Sequence, residues 1–147
     1  PNNAMVIPSL IRRAIDGENP LTVWGDGSPI RDFIYAKDVA LGMIKVMEIG
    51  YNKPINLGSG KETSIREIVD IIKSIIGDDL KIEWDVSKPS GDKKRLMDMT
   101  RQNEIGIMPR ISLEQGIKET IEWYKNNKSI ISDRYNPFTE KDLQPEK

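Results

Sequence analysis

The sequence predicts an α/β domain with α+β character, in which small sheets are packed by amphipathic helices. Three observations carry this reading. Apolar residues recur at helical spacing in several segments, short β-rich runs alternate with them, and no strand-like run is long enough to anchor a full parallel sheet. Some apolar surface is therefore expected to be built for contact rather than for this chain's own core.

Val6, Ile7, Leu10, Ile11, Ala14 and Ile15 define a first helix over roughly residues 5 to 16, closed by Gly17. Pro8 is tolerable there only in the first turn. "LTVW" and "PIRDFIY" are β-rich, and Gly25-Asp26-Gly27-Ser28 between them predicts a hairpin, or two short strands around a turn. Asp38 then precedes Val39, Ala40, Met43, Ile44 and Met47, a second helix whose apolar face is expected to point inward and which ends near Gly50.

"KPINLGSG" reads as a short strand and a glycine turn. The stripe Ile65, Ile68, Val69, Ile72, Ile75 and Ile76 makes the clearest helix, stopped by Gly77. "LKIEWD" is a strand, "SKPSGDKK" a basic loop and "RLMDMT" an extended run. "RQNEIG" fits a single helical turn, and Leu113, Ile117, Ile121 and Tyr124 mark the last amphipathic helix. Residues 1–128 form the folded portion, and the polar, patternless stretch 129–147 predicts a disordered tail.

Composition narrows the chemistry. The 147 residues are 37% hydrophobic and 31% charged, as in a soluble globular domain. A net charge of -1 supplies no global positive field, so neither nucleic acid nor a membrane surface is an expected partner, and an anion site must be local. No apolar run approaches the roughly 20 residues of a spanning helix, and no signal segment opens the sequence, so the expected location is cytoplasmic. With no cysteine and no histidine, no metal site is expected, and acid-base work is left to carboxylates, Lys, Tyr, Ser and Thr. The chain starts at Pro1 with an apolar helical face already in register, which predicts a piece of a longer protein.

Two motifs invite catalytic readings that their context opposes. Gly58-x-Gly60 between a strand and a helix has dinucleotide-binding spacing, but the third glycine position is Thr63, and Ser64-x-x-Glu67 is a capping box. Tyr124-x-x-x-Lys128 has the spacing of a dehydrogenase tyrosine and lysine. It sits at the end of a helix, however, where Tyr124 continues the core stripe and Lys128 favours the C-terminal dipole.

Arg31 is more informative. Strand alternation puts Arg31, Phe33 and Tyr35 on one face, where the guanidinium fork is available to a phosphate. Spacing alone does not separate that role from a surface ion pair. Val23 and Trp24 supply either an apolar wall with a stacking ring or ordinary core. Lys88, Lys93 and Lys94 read as a solvated face, whereas Arg95 opens an apolar run and pairs with Arg31 as a possible diphosphate clamp.

In order, "VIPSLIRRA", "VWGDGSPIRDFIYAKDVA", "INLGSGKETSIREI", "SKPSGDKKRLMDMTR" and "ISLEQGIKETIEWY" resemble the C-terminal half of extended short-chain dehydrogenase/reductases acting on nucleotide sugars, the NAD-dependent epimerase/dehydratase family. The resemblance spans roughly residues 4 to 126. Within the family, "WGDGSPIRDF" and "SKPSGDKKRLMD" point to the GDP-L-fucose synthase branch. The resemblance implies that Val6, Leu10, Val23 and Trp24 border the guanosine diphosphate of a GDP-sugar, and that Arg31 and Arg95 contact its diphosphate or adjoining sugar. It implies a parent enzyme that epimerises GDP-4-keto-6-deoxymannose and reduces it with NADP(H).

The glycine loop and the catalytic Ser, Tyr and Lys of such enzymes precede the part resembled. No catalytic or cofactor-binding residue is therefore expected on this chain, which alone would be inactive. Where that branch carries histidine in "HVIP", this sequence has Met5, which cannot transfer a proton. A UDP- or dTDP-sugar epimerase, dehydratase or decarboxylase stays open, as does a non-catalytic nucleotide-sugar-binding domain. Apolar surface left by a missing half predicts self-association into a homo-oligomer.

Overall fold

The structure, a computed structural model, describes residues 5–130. The tail expectation falls on residues 131–147, outside the described residues, except for a turn in which Ile130 N donates to Asn127 O. The elements run α1 (Val6–Ile15), β1 (Leu21–Trp24), β2 (Ile30–Arg31), α2 (Ala36–Glu48), β3 (Thr63–Ser64), α3 (Ile65–Ile76), β4 (Ile82–Asp85), β5 (Lys94–Arg95), α4 (Thr100–Glu104) and α5 (Leu113–Asn127).

Helices α1, α3 and α5 pack against one another and build the core with β1. Pro8 occupies the first turn of α1, where its missing N–H breaks no helical hydrogen bond. Ser64 Oγ caps α3 by accepting from Glu67 N at 3.1 Å, and Ser112 Oγ caps α5 from Gln115 N at 3.1 Å. The α3 stripe then buries Ile68, Val69 and Ile72 completely against Ile11, Leu21, Ile117 and Ile121.

Two small sheets flank this core. β1 and β4 are parallel, with Val23 opposite Trp84, and the second sheet has the order β3-β2-β5. The segments "LTVW" and "PIRDFIY" therefore form two short strands around a turn rather than a hairpin. β1 is already committed to β4: Leu21 N donates to Lys81 O and Gly25 N to Asp85 O, both at 2.8 Å. Gly25 and Gly27, with φ of 80° and 78°, then turn the chain away toward the second sheet.

Two expectations are corrected. "KPINLGSG" contains no strand, because the Gln102 side chain takes both the N–H and the carbonyl of Gly58 that a neighbouring strand would need. The apolar stripe of α2 does not point inward: Met43, Ile44 and Met47 are exposed, and the helix buries Asp38 and Gly42 instead. These two lie one turn apart on a common face. Gly42 sits so close to Leu57 that a β-carbon there would lie 3.0 Å from its methyl group, while Asp38 Oδ2 accepts from Ile111 N at 2.9 Å. Asp38 thus ties the approach to α5 rather than opening α2, which starts at Ala36.

Candidate functional site

Strands β2 and β5 pair in parallel with Arg31 opposite Arg95. Register partners on parallel strands project to the same face, about 4.8 Å apart at the backbone. The structure thus sets two arginines from distant parts of the chain in register on neighbouring strands. Arg31 is half-buried and Arg95 exposed.

Arg31 adopts neither a carboxylate pair nor a free pose. Its Nη1 donates to Ile30 O at 2.7 Å and to Asp92 O at 2.8 Å. Among the described residues, Nε and Nη2 have no hydrogen-bond partner, so the side edge of the fork remains open for an oxyanion. The extended face expected through Phe33 and Tyr35 is not formed, because β2 ends at Arg31; Phe33 packs on the core and Tyr35 against Gly116 of α5.

The basic loop after β4 links these arginines to Trp24. It starts at Asp85, whose carboxylate accepts from Ser87 Oγ at 2.5 Å and Ser87 N at 3.1 Å; these bonds, the hydroxyl foremost, hold its pKa below the usual range. Lys88 Nζ then lies 6.0 Å from the Trp24 ring centroid. Next, Ser90 closes on Gly25, where any β-carbon would collide with it, and Gly91 sits 3.5 Å, measured from an ideal β-carbon, from Arg31 Nη2. After Asp92 the chain enters β5 and reaches Arg95. A segment that reads as a plain solvated charge run is the connector of the site, and its backbone contacts leave no trace in residue spacing.

Trp24 is 63% exposed at the end of β1, a ring available for stacking. Val6 is half-buried at the edge of the core. Leu10 and Val23, 3% and 4% exposed, are members of the hydrophobic core and have almost no surface left for a ligand. The loop 25–29 is held to the start of α3: Arg66 Nη2 donates to Asp26 O at 2.6 Å, and its guanidinium stacks 4.3 Å from the Trp84 ring centroid.

The glycine turn does not fit a dinucleotide pyrophosphate. Its N–H groups already have acceptors on this chain: Gly58 N donates to Gln102 Oε1 at 2.9 Å, Ser59 N to Asp32 Oδ1 at 2.8 Å and Gly60 N to Asp32 Oδ2 at 3.1 Å. A carboxylate sits where a phosphate would need to be. Asp32 and Gln102 were invisible as functional residues to spacing; the acidic residue directly after Arg31 is the one available signal.

Tyr124 and Lys128 both turn to Asp16 at the end of α1. The tyrosine hydroxyl lies 3.1 Å from each carboxylate oxygen and Lys128 Nζ 2.7 Å from Oδ1. Desolvation first, and the Asp16 hydrogen bond second, push the Tyr124 pKa up, opposite to what a catalytic base requires. Among the described residues no cluster of three or more acidic residues could hold a metal ion, and no helix is long and apolar enough to cross a membrane.

A model of the NAD dependent epimerase/dehydratase family matches residues 1–58. A protein named probable GDP-L-fucose synthase 1 from Oryza sativa subsp. japonica is 38% identical over 133 residues, covering 86% of this chain and 40% of that protein. The crystal structure of a GDP-L-fucose synthetase from Naegleria fowleri bound to NADP superposes with a TM-score of 0.75 at 26% identity, over 86% of this chain and 41% of that one. A UDP-N-acetylglucosamine 4-epimerase from Methanobrevibacter ruminantium M1, in complex with UDP-N-acetylmuramic acid, gives a TM-score of 0.76 at 32% identity, over 86% and 41% of the two chains. The chain thus spans about 40% of the length of the curated relatives it matches. By these matches and by its fold, the chain is similar to part of the extended short-chain dehydrogenase/reductases of the NAD dependent epimerase/dehydratase family, the GDP-L-fucose synthases among them.

Proposed function

We propose that this chain forms the nucleotide-sugar-binding side of an epimerase/reductase and that its preferred ligand is a GDP-sugar. The observation that carries the reading is the register pairing of Arg31 with Arg95, which sets two cations on neighbouring strands; the loop that leads into β5 also carries Lys88, 6.0 Å from the exposed Trp24 ring. Arg31 presents an open guanidinium edge to one phosphate, Arg95 a second charge to the other or to the adjoining sugar, and Trp24 a ring to the base. Val6 borders the ligand, while Leu10 and Val23 belong to the core. The names of the rice and Naegleria relatives support GDP-L-fucose synthesis as the activity of the whole protein, with NADP(H) as the hydride carrier. The glycine turn on this chain has no room for that cofactor, so binding is the role assigned here.

A UDP-sugar reading has its own support. Met5 stands exposed where the fucose synthase branch has histidine, and the Methanobrevibacter enzyme with a UDP-sugar is as similar in fold as the Naegleria one. Calorimetric titration of the whole protein with GDP, UDP and dTDP sugars separates the two. GDP-sugar should bind tightest; equal or tighter UDP-sugar binding would refute the GDP assignment.

A further inference from the structure

Asp32 follows Arg31 directly, and its carboxylate closes on a turn 26 or more residues away along the chain. It accepts from Ser59 Oγ at 2.5 Å, Ser59 N at 2.8 Å and Gly60 N at 3.1 Å. The turn is made for this acceptor. A β-carbon at Gly58 would lie 2.7 Å from Asp32 Oδ2, and Gly60 has φ of 70°. Gln102, 1% exposed, grips the other side of the turn through both polar groups of Gly58. Immediately after the turn, β3 returns to pair with β2, Thr63 opposite Arg31 and Ser64 opposite Ile30.

These contacts form a closed loop: Arg31, Asp32, the glycine turn, β3 and back to Arg31. β2 is only two residues long, too short for its ladder alone to hold a register. We propose that Asp32 is the positioning residue of the arginine pair, its carboxylate locking the glycine turn so that β2 keeps Arg31 in register with Arg95. The inference rests on the proposed nucleotide-sugar site, because it assigns Asp32 an effect on the ligand that passes through Arg31. An ionised carboxylate is suited to this as an acceptor only, facing three donors at once. An asparagine amide would turn a donor toward the Gly60 N–H.

The test is a double-mutant cycle in the whole protein, read as the dissociation constant for GDP. Asp32→Asn should weaken GDP about tenfold in the native background, and under about twofold once Arg31 is alanine, since coupled residues are non-additive. Ser59→Ala, which removes one donor and keeps the carboxylate, should show the same pattern at about threefold and keeps the cycle readable if Asp32→Asn does not fold. An equal loss in both backgrounds would overturn the positioning role. Native affinity in Asp32→Asn, with Arg31→Ala weakened, would overturn it while leaving the binding site standing. An Arg31→Ala variant that binds GDP normally would instead refute the binding reading and the inference with it.

Discussion

Arg31 and Arg95 are register partners on parallel strands, and Arg31 is fixed there by two backbone carbonyls rather than by any carboxylate. The guanidinium is therefore oriented before a ligand arrives. Arg31→Ala should weaken nucleotide-diphosphate binding by about 1.5 to 3 kcal/mol, the usual scale for a charged hydrogen bond. Arg95→Ala, at an exposed position, should cost about 1 kcal/mol. Arg31→Lys should recover only part of the loss, because lysine keeps the charge without the fork. Calorimetry on the three variants checks this order; a lysine variant equal to the native protein would remove the fork from the account.

Gln102 makes a different prediction, on stability. Its amide pairs with both the N–H and the carbonyl of Gly58 in a buried setting. Gln102→Leu keeps the volume and leaves those two backbone groups without partners, which should cost about 2 to 4 kcal/mol. A melting temperature within about one degree of the native value would contradict the pairing.

Gly27 and Gly50 share a positive φ but differ in surroundings. An ideal β-carbon at Gly27 would fall 2.5 Å from Trp84, whereas nothing lies within 4 Å of one at Gly50. Gly50→Ala should cost only the left-handed backbone penalty of about 1 to 2 kcal/mol. Gly27→Ala should cost clearly more and shift Trp84 fluorescence by breaking its stack with Arg66. Equal melting temperatures for the two variants would show that Trp84 does not crowd the turn.

The clamp between α1 and α5 should be visible in pH dependence. The Lys128 hydrogen bond, chiefly, holds the Asp16 pKa below the usual carboxylate range, and the Asp16 bond raises that of Lys128. Because the Asp16 value is lowered on folding, its contribution is complete above the ordinary carboxylate pKa of about 4 and is lost as pH falls through the folded value. Tyr124 and Lys128 are raised on folding, so their contributions are complete below about pH 10 and are lost as pH rises through the folded values. Asp16→Asn should accordingly lower the melting temperature at neutral pH, and the difference should close in strong acid. A difference that persists at about pH 2 would place the effect outside the ion pair.

How much of this was legible depended on distance along the chain. The helices around the core followed from local signals: the Ile68–Ile72 stripe, the Ser64 cap and the Pro8 position are each readable within a turn or two. The sheets were not, because strands of two to four residues carry too little pattern to name their partners. The α2 face was misread for a related reason: Asp38 and Gly42 make its contacts, and no periodicity rule ranks an aspartate and a glycine above Met43 and Ile44. At the site, Arg31, Arg95 and Trp24 stood out by residue type and resemblance. What orients the Arg31 guanidinium, the Ile30 and Asp92 carbonyls, works through contacts that spacing cannot show, as does the grip of the Asp32 carboxylate on the glycine turn.

The most direct measurement of the central claim is the pair of Nε–Hε resonances of Arg31 and Arg95 in nitrogen-15 NMR of the whole protein, followed during addition of GDP. Guanidinium groups gripping a diphosphate should shift both signals with saturating dependence on GDP and slow their exchange with water. GDP binding that leaves both resonances unmoved would contradict the account, because the ligand would then be held somewhere other than the arginine pair.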